Sequence, residues 1–458
     1  MSKNDSLRID RLTLRNFRCF KTCNLALHPQ LTVLVAENGR GKTAILDALG
    51  IALGPFVDAV SGIPQSAGIS RSDIRRVRND EGTMVSSAET TVEATGWVDG
   101  HSLGWSRSLN GTVPKGRTSR KDLKVLESTG ADLRGRLEQY SLTTRDLPPP
   151  LPLVAFYGTG RLWTEHRLTQ AKRAHGSSPM GRLSGYLDSL SWASSFNAFV
   201  NWYESTSDLA RSPTSLASAE GERPTRLLAA VRKAVDKVLT PTGWRGIDWD
   251  FTTRELVAEH HEHGRLSVSL LSDGVRNMIS LVADLAHRCV RLNPHFGENA
   301  PEFTPGVLLV DEIDMHLHPR WQQMAVGLIQ QTFPQMQMVL TTHSPHTLSA
   351  INAESIRLLR TDKDSADIRL PAFQTRGMES SDALALVMGV DPTPNVPEAS
   401  WLAEYRATLQ SGTQSSEAGS ELWKKILEHF GEDHPASMQV AALRRLHEFQ
   451  RDTPSGES

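Results

Sequence analysis

Cysteine is scarce in this chain. Its 458 residues include only three, Cys19, Cys23 and Cys289, and no two of them form a C-x-x-C pair. An odd and scattered set of this kind offers neither a disulfide framework nor a thiolate metal site, and it suits a reducing compartment.

Net charge and long apolar runs are also lacking. The formal net charge is −2 and the isoelectric point is about 6.8, so overall charge favours no particular partner. We see no uninterrupted apolar stretch of membrane-spanning length, and the N-terminal residues MSKNDSLRID lack the apolar run of a signal peptide. We therefore expect a cytoplasmic protein without a membrane partner.

The stretch LTVLVAENGRGKTAILDALGIALG, residues 31–54, is predicted to form a strand, a glycine-containing turn and a helix. Successive backbone N–H groups in such a turn converge on an anion at the helix N-terminus. Lys42 can then reach the β- and γ-phosphates of a nucleotide, and Thr43 places a hydroxyl where Mg²⁺ binds. Ala36 replaces the first glycine of the GxxxxGK[ST] pattern, which requires a negative φ there. The predicted nucleotide-binding residues of the turn are Asn38, Gly39, Arg40 and Gly41.

Three later segments provide the rest of the predicted site. In LLSDGVRN, Ser272 and Gly274 open a helix whose N-terminus suits a phosphate. In GVLLVDE, Asp311 and Glu312 follow an apolar strand, where Asp311 can hold Mg²⁺ and Glu312 can deprotonate the attacking water. In QMVLTTHSP, a second buried strand delivers His343, which can hydrogen-bond the γ-phosphate or that water. We therefore name Glu312 and His343 as the catalytic candidates.

Arg18 lies in LTLRNFRCF, within a region whose alternating apolar residues predict strands. Two interpretations stay open for this side chain. It is either a solvated arginine on a strand or a group near the nucleotide phosphates.

The region 58–150 is predicted to be rich in loops, apart from a hairpin at the turn Asp99-Gly100. Its basic runs, residues 71–78 and 115–124, are interpreted as solvated loops, with nucleic-acid contact as the alternative. Further on, the histidines of EHHEHG, residues 259–264, are interpreted as part of a polar turn. A zinc site is disfavoured there because no cysteine lies near in sequence.

Together, AENGRGKT, LSDG, VLLVDE and TTHSP resemble the ATP-binding-cassette-type ATPases of the structural-maintenance-of-chromosomes (SMC) and RecF class. With NFRCF, YGTGRLW and DEIDMHLHPRWQ added, the chain is similar over nearly its whole length to the ATPase subunits of Septu-type anti-phage defence systems, which also occur with certain retrons. The resemblance implies an α/β fold, an ABC/SMC-head-like P-loop ATPase with a mixed central sheet, an antiparallel N-terminal sheet and helical insertions. ATP and Mg²⁺ are the implied cofactors.

The resemblance also implies partners. In that class a signature segment, here Leu271–Gly274, closes over ATP held by another protomer, so Ser272 is expected to act across the interface of a homodimer or higher homo-oligomer. A separate HNH endonuclease subunit is implied, and with retrons a reverse transcriptase, its DNA–RNA hybrid or another nucleic acid. Since the chain has no recognisable nuclease motif of its own, we expect an ATP-hydrolysing switch that controls another chain's nuclease.

Two domains are predicted. Residues 1–376 form the ATPase domain, with loop-rich and helical insertions over about 58–240, and residues 377–458 form a helical domain. Two roles stay equally open for the helical domain: contact with a partner or another copy of the chain, and packing on its own chain. The first alternative depends on three aromatic residues expected to be exposed, Trp401, Tyr405 and Trp423.

Two other functions stay open at this level. The first is a RecF-like DNA-repair ATPase whose basic runs bind DNA directly. The second is a sensor ATPase that traps a phage protein and works with a topoisomerase-primase-type nuclease. The nuclease type encoded next to this chain discriminates between the sensor and the switch, and salt-dependent DNA binding by the chain alone would favour repair.

Overall fold

Alternating apolar residues at the start of the chain and short apolar runs later in it form the strands of one large sheet. The computed structural model of the chain describes residues 6–113, 116–142, 148–162, 181–191, 196–212, 223–362 and 365–452. The strands found there are β1 (Leu7–Phe17), β2 (Phe20–Ala26), β3 (Leu31–Val35), β4 (Arg76–Arg78), β5 (Met84–Ser86), β6 (Glu89–Val98), β7 (His101–Asn110), β8 (Leu153–Tyr157), β9 (Trp244–Asp250), β10 (Glu255–His260), β11 (Gly264–Ser267), β12 (Gly306–Val310), β13 (Met336–Thr341), β14 (Ile356–Asp362) and β15 (Ser365–Arg369).

Ten of these strands make a mixed sheet in the order β7-β6-β1-β2-β15-β14-β3-β13-β12-β8. The four strands β3, β13, β12 and β8 run parallel to one another, and every residue in them is buried. Parallel strands need helices on both faces, which explains why these four segments are nearly continuous apolar runs. Their carboxyl ends meet at one edge of the sheet, the edge where ligands bind in open α/β folds.

The antiparallel part of the sheet is built from β1, β2, β6 and β7. The predicted hairpin between β6 and β7 is confirmed. Both turn residues, Asp99 at φ 48° and Gly100 at φ 84°, are left-handed, as a two-residue hairpin turn requires. The fold class predicted from the sequence is therefore confirmed, with an antiparallel N-terminal sheet joined to a mixed centre.

Helices cover the sheet and form most of the remaining structure. The helix that follows β3 begins at Lys42, is apolar on nearly all sides and is mostly buried, so it packs as a core helix. The α-helices are α1 (Lys42–Ser61), α2 (Lys124–Leu142), α3 (Phe196–Arg211), α4 (Pro224–Leu239), α5 (Asp273–Leu292), α6 (Ala300–Phe303), α7 (Pro319–Thr332), α8 (Pro345–Leu348), α9 (Ser380–Asp382), α10 (Pro397–Gln410), α11 (Glu417–Phe430) and α12 (Pro435–Asp452).

The length and composition of α1 would suit a membrane span, contrary to the expectation that the chain has no such stretch. The burial of 78% of its apolar window is typical of the core helix of a folded domain. The burial of this helix thus explains its composition.

Helix α2 corrects the expectation of a loop-rich region between residues 58 and 150. It packs against α1 through buried leucines, among them Leu126 and Leu133. Their separation by seven residues is a helical spacing that the flanking glycine, serine and charged residues obscure. Of the second basic run, Lys115 lies outside the described residues, while residues 121–123 form a short 3-10 helix that leads into α2.

The described residues from Leu384 onward form a second compact unit, whereas the sequence predicted a boundary after residue 376. Tyr405 is fully buried in the core of this unit, and Trp401 and Trp423 pack against that core. The rings of Tyr405 and Trp423 stack with their centroids 5.1 Å apart. The expectation that Tyr405 is exposed is therefore wrong, because this tyrosine packs with aromatic and aliphatic residues of α10 and α11 and with Val440 of α12.

Candidate nucleotide-binding site

The turn between β3 and α1 is shaped by two glycines with positive φ, Gly39 at 77° and Gly41 at 94°. Gly41 is the N-cap of α1 in a left-handed conformation. A Cβ atom at this position would lie 2.6 Å from Cys19 Sγ and 2.4 Å from the ring of Phe20. Only glycine fits there, and the turn presents backbone N–H groups at a helix N-terminus, which is an anion-binding arrangement. Ala36 is not among the residues with positive φ, so its Cβ is tolerated.

Lys42 is buried, and its ammonium is held by the loop itself. Nζ donates to the carbonyl oxygens of Ala36 at 2.9 Å and Glu37 at 3.2 Å. Burial lowers the pKa of Lys42, although the carboxylates of Asp311 and Glu312 oppose that shift. A buried cation whose partners are neutral carbonyl groups attracts phosphate oxygens strongly, because they supply the missing negative charge.

Asp311 joins three segments of the chain at the end of β12. Its Oδ2 accepts the hydroxyl proton of Thr43 at 2.8 Å, and its Oδ1 accepts that of Thr341 at 2.6 Å. A hydroxyl and a carboxylate in contact form the oxygen donor set that Mg²⁺ takes in nucleotide sites, so the residues present fit this ion. Thr341, which is not among the site residues predicted from the sequence, also accepts the backbone N–H of Glu312 at 2.7 Å.

Glu312 and His343 lie beside this group. Glu312 has φ 49°, a conformation that is rare for a residue with a side chain and that is often found at functional sites. Burial and the Lys42 ammonium lower the pKa of His343. The neutral imidazole is therefore favoured at neutral pH, and it can accept a hydrogen bond from water or donate one to phosphate.

Most of the predicted site residues surround one cavity of about 330 Å³ at the carboxyl edge of the parallel strands. The exception in the turn is Arg40, which is not among the lining residues and forms an exposed ion pair with Glu37. The lining residues are Arg18, Cys19, Asn38, Gly39, Gly41, Lys42, Thr43, Ala44, Asp311, Glu312 and His343.

Arg18 lies in the turn between β1 and β2 with φ 50°, so its interpretation as a solvated strand residue is wrong. Its guanidinium lines the cavity and forms ion pairs with Asp47 of α1 and Asp73. Burial alone would lower the pKa of Arg18, but these two carboxylates outweigh it and raise the pKa. The sequence offered no signal for this pairing, since the three residues are far apart along the chain.

The signature segment Leu271–Gly274 lies outside this cavity. Ser272 is the exposed N-cap of α5, and its side chain makes no capping hydrogen bond to the helix. Gly274 is buried, and a Cβ atom there would lie 2.5 Å from the carbonyl oxygen of His316. This glycine therefore allows the start of α5 to approach the loop that follows Glu312.

The histidine-rich turn between β10 and β11 brings His260, Glu262 and His263 together, with possible ligand atoms within 4.8 Å of one another. Nδ1 of His260 accepts the backbone N–H groups of Glu262 at 3.1 Å and His263 at 3.3 Å. One ring nitrogen of His260 therefore holds the turn, while the three side chains also lie close enough together to hold a metal ion.

Two family models and solved structures match parts of the chain. Residues 11–209 match a family model described as an AAA domain, and residues 189–349 match a second AAA-domain model whose description names the AbiEii toxin of a type IV toxin–antitoxin system. The head domain of the SMC protein from Thermotoga maritima aligns with a TM-score of 0.44 and 15% identity, over 80% of this chain and 99% of that one.

Similar sequences include retron ATPases and a Septu protein. The "Retron Vc95 probable ATPase" of Vibrio cholerae is 25% identical over 93% of this chain and 88% of that protein. The "Retron Ec83 probable ATPase" of Escherichia coli is 24% identical over 95% of this chain and 86% of that protein. The Septu protein PtuA of Bacillus thuringiensis is 30% identical, but over only 32% of this chain and 38% of that protein.

The phosphate-binding turn and these matches define the class of protein: the chain is a nucleotide-binding ATPase. The resemblance inferred from its motifs is confirmed, and the chain is similar in sequence to two retron probable ATPases and, over about a third of its length, to a Septu protein PtuA.

Proposed function

We propose that this ATPase is a switch in an anti-phage defence complex. Mg-ATP is held between head-to-tail copies of the chain, and the nucleotide state controls a separate HNH-type nuclease. The retron and Septu relatives support the defence role, and the retron relatives add a reverse transcriptase with its DNA–RNA hybrid, or another nucleic acid, to the proposed partners. The free energy for switching comes from the different affinities of the paired and open forms for nucleotide.

The observation that carries the head-to-tail arrangement is the position of Ser272. This residue is exposed at a helix N-terminus with its hydroxyl uncommitted to the helix, yet it does not line the cavity of its own chain. A second copy related by two-fold symmetry supplies a phosphate for it to bind. Asp314 and His316 follow Glu312, and the backbone carbonyl of His316 lies against Gly274 at the start of α5, so both residues would lie close to that interface.

The residues of the cavity have distinct roles in this proposal. The turn residues 38–41 and Lys42 bind the β- and γ-phosphates, with Arg18 beside them. Thr43 and Asp311 would hold Mg²⁺, which when bound neutralises phosphate charge. Glu312 orients the attacking water and accepts its proton, while the neutral His343 donates a hydrogen bond to the γ-phosphate or accepts one from that water.

Replacement of Ser272 by arginine is expected to prevent ATP-dependent pairing of the chain. The longer cationic side chain fills the space where a neighbouring copy's phosphates would lie, but it leaves the cavity of its own chain unchanged. Size-exclusion chromatography with light scattering, with and without ATP, measures the effect. The expected outcome is normal ATP affinity, no ATP-dependent dimer and a loss of turnover. Normal turnover by a monomer would exclude the head-to-tail site.

The partner is tested by co-expression of the chain with the product of its neighbouring gene. An HNH nuclease that co-purifies with the chain, and whose cleavage changes on addition of ATP, is the expected result. A topoisomerase-primase-type nuclease in its place would favour the sensor. Tight DNA binding by the chain alone that weakens steeply with salt would favour repair, with Arg76 and Arg78 on the exposed β4–β5 hairpin as candidate contacts.

A further inference from the structure

Tyr157, the last residue of β8, contacts both β12, the strand that precedes Asp311, and α5, the helix that begins at the signature segment. It lies beside Val310 in the sheet, and its backbone carbonyl accepts the N–H of Asp311 at 2.9 Å. Its hydroxyl donates to Oδ2 of Asp284, in the middle of α5, at 2.7 Å. One residue therefore joins the strand that carries Asp311 to the helix that begins at the signature segment.

The acceptor of this hydrogen bond is held firmly in place. Oδ2 of Asp284 also accepts a hydrogen bond from the Nε–H group of Arg288, which lies one helical turn along α5, at 2.9 Å. Nη1 of Arg288 in turn donates to the carbonyl oxygens of Gly185 at 2.9 Å and Leu187 at 2.8 Å. Tyr157, Asp284 and Arg288 are all buried. A buried network of this kind moves as a unit, because breaking any one bond leaves an uncompensated polar group.

The protonation states keep the network intact across the physiological range. Burial alone would raise the pKa of Asp284, but Arg288 and His287 outweigh it and hold that pKa well below its usual range. Burial and the charge of Asp284 raise the pKa of Tyr157 well above its ordinary value. A protonated phenol facing an ionised carboxylate makes a charge-assisted hydrogen bond, which is stronger than a neutral one.

We propose that Tyr157 is a positioning residue that transmits the nucleotide state at Asp311 to the signature segment through α5. Asp284 lies about three helical turns from the start of α5, and a helix transmits a displacement along its axis as a rigid element. A shift of Asp311 on nucleotide binding moves the Tyr157 backbone, and the hydroxyl carries that shift to Asp284. The proposed link lies within one chain. It rests on the proposed function only in one respect, which is that Ser272 binds the nucleotide of a neighbouring copy.

Tyr157→Phe removes the hydroxyl and keeps the ring, and the chain contains a matched control. Tyr186 is also fully buried, and its hydroxyl donates at the same 2.7 Å, but to the backbone carbonyl of Pro152 rather than to α5. Tyr186→Phe therefore removes one buried hydrogen bond of equal length close to the same network, between the two residues whose carbonyl oxygens accept Arg288, but it leaves the hydrogen bond from Tyr157 to Asp284 in place. Similar thermal unfolding midpoints for the two variants would show that they differ in coupling and not in stability.

Hydrogen–deuterium exchange of peptides covering residues 268–281 tests the link directly. The measurement is made in a Ser272→Arg background, where copies do not pair and ATP reaches α5 only from within the chain. Addition of Mg-ATP is expected to change exchange in these peptides, and Tyr157→Phe is expected to remove that change while Tyr186→Phe retains it. No ATP-dependent change with Tyr157 present, an unaltered change in Tyr157→Phe, or equal loss in both variants would overturn the proposal.

Steady-state kinetics of the chain with Ser272 intact provide the second measurement. Tyr157→Phe is expected to lower kcat about tenfold with little change in KM, a typical coupling between sites, whereas Tyr186→Phe leaves both near normal. Equal kcat values for the two variants would overturn the role of Tyr157 in turnover. If Ser272→Arg alone hydrolyses ATP normally, the head-to-tail site fails while the exchange comparison remains valid, so the two failures are distinguishable.

Discussion

Lys42→Ala is expected to abolish ATP binding. The ammonium is the buried cation of the phosphate-binding turn, and its present partners are two neutral carbonyl groups. Truncation of one partner of a buried charge pair costs on the order of 3 kcal/mol or more, so ATP affinity should fall at least about 100-fold. Fluorescence titration with a labelled ATP analogue measures the loss, and thermal unfolding without nucleotide checks that the fold survives.

Lys237→Ala is the matched control for this experiment. Its ammonium also donates to a backbone carbonyl, that of Gln331 at 2.6 Å, but it lies on α4 and does not line the cavity. The control should bind ATP like the unaltered chain, and Lys42→Arg should bind weakly because the planar guanidinium does not fit the space of an ammonium. Retained ATP affinity in a folded Lys42→Ala protein would mean that the phosphate-binding turn was wrongly identified.

Local pattern explains which parts of the fold could be predicted. The strands around the cavity are short apolar runs, and residues 38–43 follow one of them with the glycines that the turn requires, so strand, turn and helix were all readable from the chain. Asp311 and Glu312 follow the apolar strand β12, and His343 follows the apolar strand β13. Parallel strands present their carboxyl ends at one edge of the sheet. Pattern and topology were therefore enough to bring these residues together.

Contacts between distant residues explain what the sequence did not reveal. The ion pairs of Arg18 with Asp47 and Asp73 depend on packing of the β1–β2 turn against α1, and no periodicity reports that packing. The burial of Tyr405 depends on how three short helices meet, so an aromatic residue on an amphipathic helix looked exposed. Thr341 could have been found, since it lies in the same TTHSP segment as His343 and a hydroxyl next to a strand end is a natural partner for a carboxylate.

The charged residues that line the cavity divide into those that hold the nucleotide or a metal ion and one that is suited to catalysis. Arg18 and Lys42 are the cationic groups among the lining residues, and Asp311 and Glu312 are the carboxylates. Asp311 is committed to the hydroxyls of Thr43 and Thr341, which fixes its position for a metal ion. Glu312 follows Asp311 directly, its backbone N–H is held by Thr341 and it lines the cavity, so its carboxylate is placed for proton transfer.

Glu312→Gln is accordingly expected to separate ATP binding from hydrolysis. The amide keeps the size of the side chain and can still contact the attacking water, but it cannot accept that water's proton. Loss of a general base typically slows a reaction by about 10² to 10⁴-fold, so turnover should fall by that factor while ATP affinity stays close to normal. Phosphate release measures turnover, and light scattering should show that the ATP-bound assembly accumulates.

Glu37→Gln is the control, because it makes the same chemical change in the phosphate-binding turn without facing the cavity. The Glu37 carboxylate is exposed and pairs with Arg40, an interaction that contributes little to stability at a solvated site. This variant should hydrolyse ATP at a near-normal rate and release its assembly normally. Unchanged turnover in Glu312→Gln would assign the proton to another acceptor, with His343 the next candidate among the lining residues. Lost ATP binding in that variant would instead make Glu312 a structural support of the cavity.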